Sequence, residues 1–267
     1  MSAPERLPPG RVALTDRIVR QERAVIVGAI ALLAGLAWFW TATGAGMPMD
    51  QGMMTGMPPP GPPPLLLTLL MWWVMMAAMM LPSAAPTILL YGRVRRERSG
   101  RSAIAPSAIA SSGIFLSGYL LAWLAASAIA AALQILATRI GWVDAVSMRA
   151  THAPLAAATL IAAGLYQMSP IKNVCLIHCR SPAMFLSRHW RPGLGGALRL
   201  GLLHGGYCIG CCWLLMAVLF AGGIMNYWWI AGLTALVSAE KLLPAGKTLS
   251  RIAGMALMLW GVALVAA

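Results

Sequence analysis

Seven long apolar runs, separated by short basic or proline-rich breaks, organise the chain. They cover about 24–43, 64–91, 107–136, 152–169, 198–222, 227–243 and 250–266. Most approach the roughly 20 residues that carry an α-helix across a bilayer; the fourth and sixth are short. The second contains Pro82 and Pro86 and is expected to kink, or to end near Pro82 before a short re-entry. The pattern predicts an all-α, polytopic helical membrane protein of about seven transmembrane helices.

The basic residues alternate from one connection to the next. Arg6, Arg11, Arg17, Arg20 and Arg23 precede the first run, and Arg93, Arg95, Arg96, Arg98 and Arg101 follow the second. Lys172, Arg180, Arg188 and Arg191 follow the fourth, with Arg199 at the start of the fifth; Lys241, Lys247 and Arg251 follow the sixth. The intervening connections hold only Arg139 and Arg149. Positive charge is retained in the cytoplasm, so the N-terminus is expected inside and the C-terminus outside. This divides the chain into a basic cytoplasmic tail (1–23), a first transmembrane helix (24–43), a Met/Pro/Gly-rich extracytoplasmic loop (44–63) and a helical membrane domain (64–267). The first run also resembles a signal peptide in its basic flank, but at about twenty residues it is longer than a usual signal core and reads as a retained anchor.

Composition agrees with this picture. Of 267 residues 60% are hydrophobic, against about 45–50% in soluble domains, and mean hydropathy is +0.76. The net charge of +13 sits in blocks between apolar runs, so membrane lipid rather than nucleic acid is the expected partner. Five cysteines, an odd number gathered in or beside apolar runs, do not read as a disulfide frame.

Candidate chemistry concentrates in the fifth run. At about 100° per residue, His204, Cys208, Cys211 and Cys212 share roughly a 100° arc of one helix. A lone buried cysteine is usually a small hydrophobe. Three within five residues, one turn after a histidine, point instead to a soft-metal ligand cluster. One helix cannot surround a metal, so a second must contribute. The second run offers Met71, Met75 and Met79 at four-residue spacing, and Met76 and Met80 likewise. Such stripes serve either as core packing or as a thioether ladder.

Three further groups bear on metal handling. Cys175, His178 and Cys179, bracketed by Pro170 and Pro182, share a helical face and suit a Cu(I) or Zn(II) site in a short re-entrant or interfacial element, or simply a packed loop. Met47, Met49, Met53, Met54 and Met57 in the outer loop could gather metal where thiols would oxidise, or be chance residues of a flexible linker. Glu240 is the one acid inside a run; it is expected at the depth of His204, as a hydrogen-bonded partner orienting the imidazole, or else paired with Lys241 at the interface or with an arginine of a cytoplasmic loop. His152 and His189 have no partner in sequence and read as interfacial or structural.

These stretches carry a resemblance. Trp73-Val-Met-Met-Ala-Ala-Met-Met-Leu-Pro82, Tyr166-Gln-Met-Ser-Pro-Ile-Lys172 with Cys175, Cys179 and Pro182, Gly205-x-x-Cys208-x-Gly210-Cys-Cys-Trp213, Met225-Asn226 and Glu240-Lys-Leu-Leu-Pro244 resemble the bacterial family of predicted metal-binding integral membrane proteins. That family includes membrane copper chaperones associated with tyrosinase. The resemblance covers roughly 64–266 and leaves out the Met-rich loop. It implies copper handling through Cys175, Cys179, Cys208, Cys211 and Cys212 with the methionine stripe, in the bacterial inner membrane.

The expectation is therefore a membrane protein that binds Cu(I), with Zn(II) as the other metal the donors suit, and delivers it to an extracytoplasmic copper enzyme. A copper transporter and a membrane thiol-disulfide oxidoreductase using Cys208-x-x-Cys211 are the competing readings; a haem protein is poorly served by one histidine inside a run. The chain contains no nucleotide-binding loop, Ser/His/Asp set or catalytic carboxylate pair, so no enzyme activity is expected.

Overall fold

The computed structural model describes residues 9–43, 64–99, 107–145 and 147–266. The outer-loop methionines Met47, Met49, Met53, Met54 and Met57 lie outside the described residues. Among those residues the chain is helical, without β-strands; Val143 and Ala150 form one isolated antiparallel bridge.

The helices are α1 (Pro9–Ala42), α2 (Leu65–Ser99), α3 (Ala108–Arg139), α4 (Ala153–Met168), α5 (Pro170–Arg180), α6 (Pro182–His189), α7 (Gly193–Ala217), α8 (Leu219–Gly222), α9 (Tyr227–Leu242) and α10 (Gly246–Ala266). Five segments are long and apolar enough to cross a membrane: Arg20–Ala42, Leu65–Arg98, Ala108–Arg139, Gly193–Gly222 and Gly246–Ala266. The fourth expected span is one arm of a broken pair, α4 and α5, bent by 64°. Pro170 lacks the N–H that would continue the ladder of α4, and the Ser169 hydroxyl starts α5 by accepting the Lys172 amide (3.2 Å). The sixth expected span, α9, has 16 residues, about 24 Å of helix against a hydrocarbon core of about 30 Å.

The second run does not end at Pro82, one of the two expected outcomes. Pro82 and Pro86 neither end α2 nor create a re-entry; both lie inside one 35-residue helix. The missing proline donors leave carbonyls to be satisfied elsewhere. Beside Pro82, the Ser83 and Tyr119 hydroxyls both donate to the Met80 carbonyl (2.9 and 3.4 Å).

Helices α2 and α7 form the interior, with α3 laid along α7 and α10 along α4. The α3–α7 seam is made by missing side chains. A Cβ on Gly201 would run into the Phe115 carbonyl, and one on Gly118 into the backbone of Leu198 and Leu202. The two backbones are therefore in direct contact, which fixes the height of α7 against α3.

The two ends of the bundle differ. At one, Trp38 packs edge-on against Tyr227 (5.8 Å between ring centres) and Trp229 against Trp260 (5.3 Å), while Trp40, Trp142, Trp228 and Trp260 are exposed. At the other, Arg96 pairs with Glu22, Arg98 lies over the Trp190 ring at 4.7 Å, and Arg180 donates to the carbonyls of Leu243 and Pro244 (3.0 and 2.6 Å).

Two glycines of α7 should respond oppositely to the same change. Gly201→Ala is expected to lower stability by about 1–3 kcal/mol or more by forcing the seam apart. Gly206→Ala, where a Cβ meets nothing within 4 Å, should be neutral or stabilising by about 0.5–1 kcal/mol. Thermal unfolding in detergent checks both.

Candidate metal centre

One face of α7 is buried along its length and carries His204, Cys208, Cys211 and Cys212 into the interior, as the helical arc requires. All five cysteines are free thiols. The Cys211 and Cys212 thiols donate to the Cys208 carbonyl (3.1 and 3.0 Å). This turns both sulfurs back along the helix towards Cys208.

Other helices meet this face. From α2, Met80 places its sulfur 3.9 Å from Cys212 Sγ. From α3, the Tyr119 hydroxyl lies 3.1 Å from Cys208 Sγ. From α5, the buried Cys179 side chain neighbours Cys211. From α9, Lys241 Nζ donates to Cys208 Sγ (3.0 Å), Ser83 Oγ (3.2 Å) and Met80 Sδ (3.7 Å). The cysteines of α5 and α7 thus belong to one cluster. Cys175 is at its edge: its sulfur lies over Gly210, where a Cβ would come within 2.8 Å of it.

The remaining residues separate. Met75, Met76 and Met79 are buried in the same apolar core as Met71, while the contact with a thiol is made by Met80. His178 shares a helix with Cys175 and Cys179, but its ring stacks on Tyr207 (4.1 Å, 1° between planes) and its Nδ1 bonds the Val174 carbonyl (2.8 Å). His204 is buried against Phe185, Tyr119 and Phe115 (ring centres 5.3, 5.7 and 6.0 Å). Its Nδ1 has no hydrogen-bond partner. It is an imidazole nitrogen held away from water one turn before Cys208.

The expected Glu240–His204 hydrogen bond is not formed. Glu240 instead accepts from Gln167 Nε2 (2.7 Å) and Lys172 Nζ (2.6 Å), and Lys172 also donates to Gln167 Oε1. Lys172 therefore does not belong with the solvated loop charges: it is almost wholly buried. The bend at Pro170 turns α5 inwards, and a buried ammonium needs the carboxylate it finds there. Glu240 and Lys241 are neighbours in sequence but not partners; each ends in a different set of contacts.

Sequence reasoning missed Tyr119, Ser83 and Gln167 as neighbours of the centre, and Lys172 as a buried ion. A polar side chain inside a strongly apolar helix was the available signal for Tyr119 and Gln167. Nothing local distinguishes Ser83 from a helix-packing serine. Among the described residues no group of three or more His, Cys, Asp or Glu side chains is arranged to hold a metal ion. The arrangement present is a set of thiols joined by one thioether and one ammonium.

The family model described as PpoB2, copper chaperone, matches residues 69–264. No curated protein and no solved structure matches the chain.

Glu240→Ala is expected to cost about 3–5 kcal/mol by leaving the Lys172 ammonium uncompensated. Joint replacement by Lys172→Met and Glu240→Leu should recover most of that loss. Thermal melts of the single and double variants decide; equal losses in both would show that the pair is not what the site rests on.

Proposed function

The chain belongs to the PpoB2 copper-chaperone family, and we propose that it is a membrane-embedded Cu(I) chaperone that hands the ion to an extracytoplasmic copper protein. The observation that carries this reading is the convergence of Met80, Cys179, Cys208, Cys211 and Cys212 from three helices on one buried cluster. Thiolates and thioethers are the donors that select Cu(I) among biological metals. Zn(II) in a protein site asks for about four ligands in a tetrahedron, whereas a pair of sulfurs and a thioether suits an ion of low coordination number.

The donors also suit transfer. Met80 Sδ lies 3.9 Å from Cys212 Sγ and shares the Lys241 ammonium with Cys208, so an ion could exchange one ligand for the next without being released into apolar surroundings. Met75, Met76 and Met79 continue sulfur along α2 towards its N-terminal end, which lies outside in the orientation that the arginine distribution supports. The outer-loop methionines would receive or supply the ion there. The bacterial cytoplasmic membrane, an inside N-terminus and an outside C-terminus belong to the same reading. So does a role in binding and handover rather than catalysis.

Anaerobic Cu(I) titration of the detergent-purified chain against a chromophoric chelator tests it. Wild type should take up Cu(I) tightly, and Cys208→Ser with Cys212→Ser should weaken binding by at least about a hundredfold. Met80→Leu should cost about tenfold, and Cys175→Ser, at the cluster edge, should cost less. Retention of full Cu(I) affinity by the double cysteine variant would overturn the assignment. The contact between Cys179 and Cys211 is what a dithiol oxidoreductase would use; a Cys179–Cys211 disulfide turning over with a membrane oxidant, and no Cu(I) uptake, would favour that reading instead.

A further inference from the structure

Lys241 is a buried cation whose partners are two sulfurs and one hydroxyl. Its ammonium reaches Cys208 Sγ at 3.0 Å, Ser83 Oγ at 3.2 Å and Met80 Sδ at 3.7 Å. The adjacent carboxylate does not serve it, because the two oxygens of Glu240 are taken by Gln167 and Lys172. A buried ammonium ordinarily sits on a carboxylate or on backbone carbonyls. This one lies between a cysteine sulfur and a thioether, with the Cys212 thiol 3.9 Å from the same Met80 sulfur.

We propose that Lys241 is a built-in monovalent cation holding the copper site, and that Cu(I) enters by displacing its ammonium from Cys208 and Met80. This inference rests on the copper reading above. The exchange takes place at a Cys208 thiolate paired with the Lys241 ammonium: the N–H···S contact breaks as the Cu–S bond forms, no proton leaves the sulfur, and one unit of positive charge replaces another. A divalent ion taking the same place leaves an additional buried charge, which an apolar interior penalises heavily.

The side chain has somewhere to go. Lys241 is the penultimate residue of α9, followed by Leu242 and the break at Leu243-Pro244. A four-carbon stem at a helix end can carry its ammonium outwards towards water while the backbone stays in place. The same group can return as the ion leaves. Lys241 therefore competes with the cargo: it weakens resting affinity and speeds release to an acceptor.

The test compares wild type with Lys241→Leu, which removes the ammonium and adds no ligand. Anaerobic titration with Cu(I) and, separately, Zn(II) is followed by transfer of bound Cu(I) to excess chelator. Lys241→Leu should bind Cu(I) about tenfold more tightly and release it about tenfold more slowly, with a smaller preference for Cu(I) over Zn(II). Equal or weaker Cu(I) binding by the variant would overturn the exchange and make Lys241 an electrostatic support for Cys208.

A second measurement needs no variant. A small amine-acylating reagent, read by peptide mass spectrometry, should label Lys241 of the wild type more after one equivalent of Cu(I) than before, with Lys172 as the unlabelled internal reference. Unchanged labelling on Cu(I) loading would overturn the displacement. Absence of Cu(I) binding by wild type would overturn the chaperone reading itself, and so separates the two.

Discussion

The arrangement around the thiols depends on the buried pair of Lys172 and Glu240. Each is almost fully withdrawn from solvent, and each would be costly without the other. Their 2.6 Å contact, completed by Gln167 on both sides, ties the start of α5 to the end of α9 and to the last turn of α4. Two consequences for the centre follow from this one tie. Holding α5 inwards brings Cys179 against Cys211. Holding the end of α9 brings the next residue, Lys241, against Cys208 and Met80.

Three levels of constraint therefore meet at α7. Its glycines let the backbone of α3 come close enough for the Tyr119 hydroxyl to reach Cys208. Its thiols fold back on the Cys208 carbonyl, so the sulfurs point at one another rather than diverging as side chains on a bare helix would. The partners from α2, α5 and α9 then close the remaining sides. A copper chaperone needs donors close enough to exchange an ion and loose enough to give it up. Thiols held by few hydrogen bonds, beside a thioether and an ammonium, have that character.

The helical periodicity of the sequence was sufficient to put His204, Cys208, Cys211 and Cys212 on one face, because a regular helix leaves no other possibility. The all-helical class was legible for the same reason, from long apolar runs. What could not be read were relations between helices. Five methionines in α2 are equivalent in sequence, and only the packing of α2 on α7 and α9 singles out Met80. His178 has the right spacing from Cys175 and Cys179, yet Tyr207 offers its ring a flat partner away from the thiols. Lys172 counts with the loop arginines by charge alone, because charge counting has no knowledge of a bend at Pro170. The pairing of Glu240 with Lys172 rather than His204 is the same lesson: depth along an axis does not say which faces meet.

The unlike ends of the bundle bear on something other than chemistry. Tryptophan prefers the headgroup boundary and arginine the aqueous edge of the other leaflet, so the two rims act as a pair of floats at a set separation. Once the helices lie in a bilayer, the molecule cannot slide vertically without dragging Trp40, Trp228 and Trp260 into hydrocarbon or lifting them from it. In a bilayer of different thickness it has to tilt or to reshape the lipid around it. The depth of the thiols below either rim is then set by the protein, and stays the same from one membrane to another.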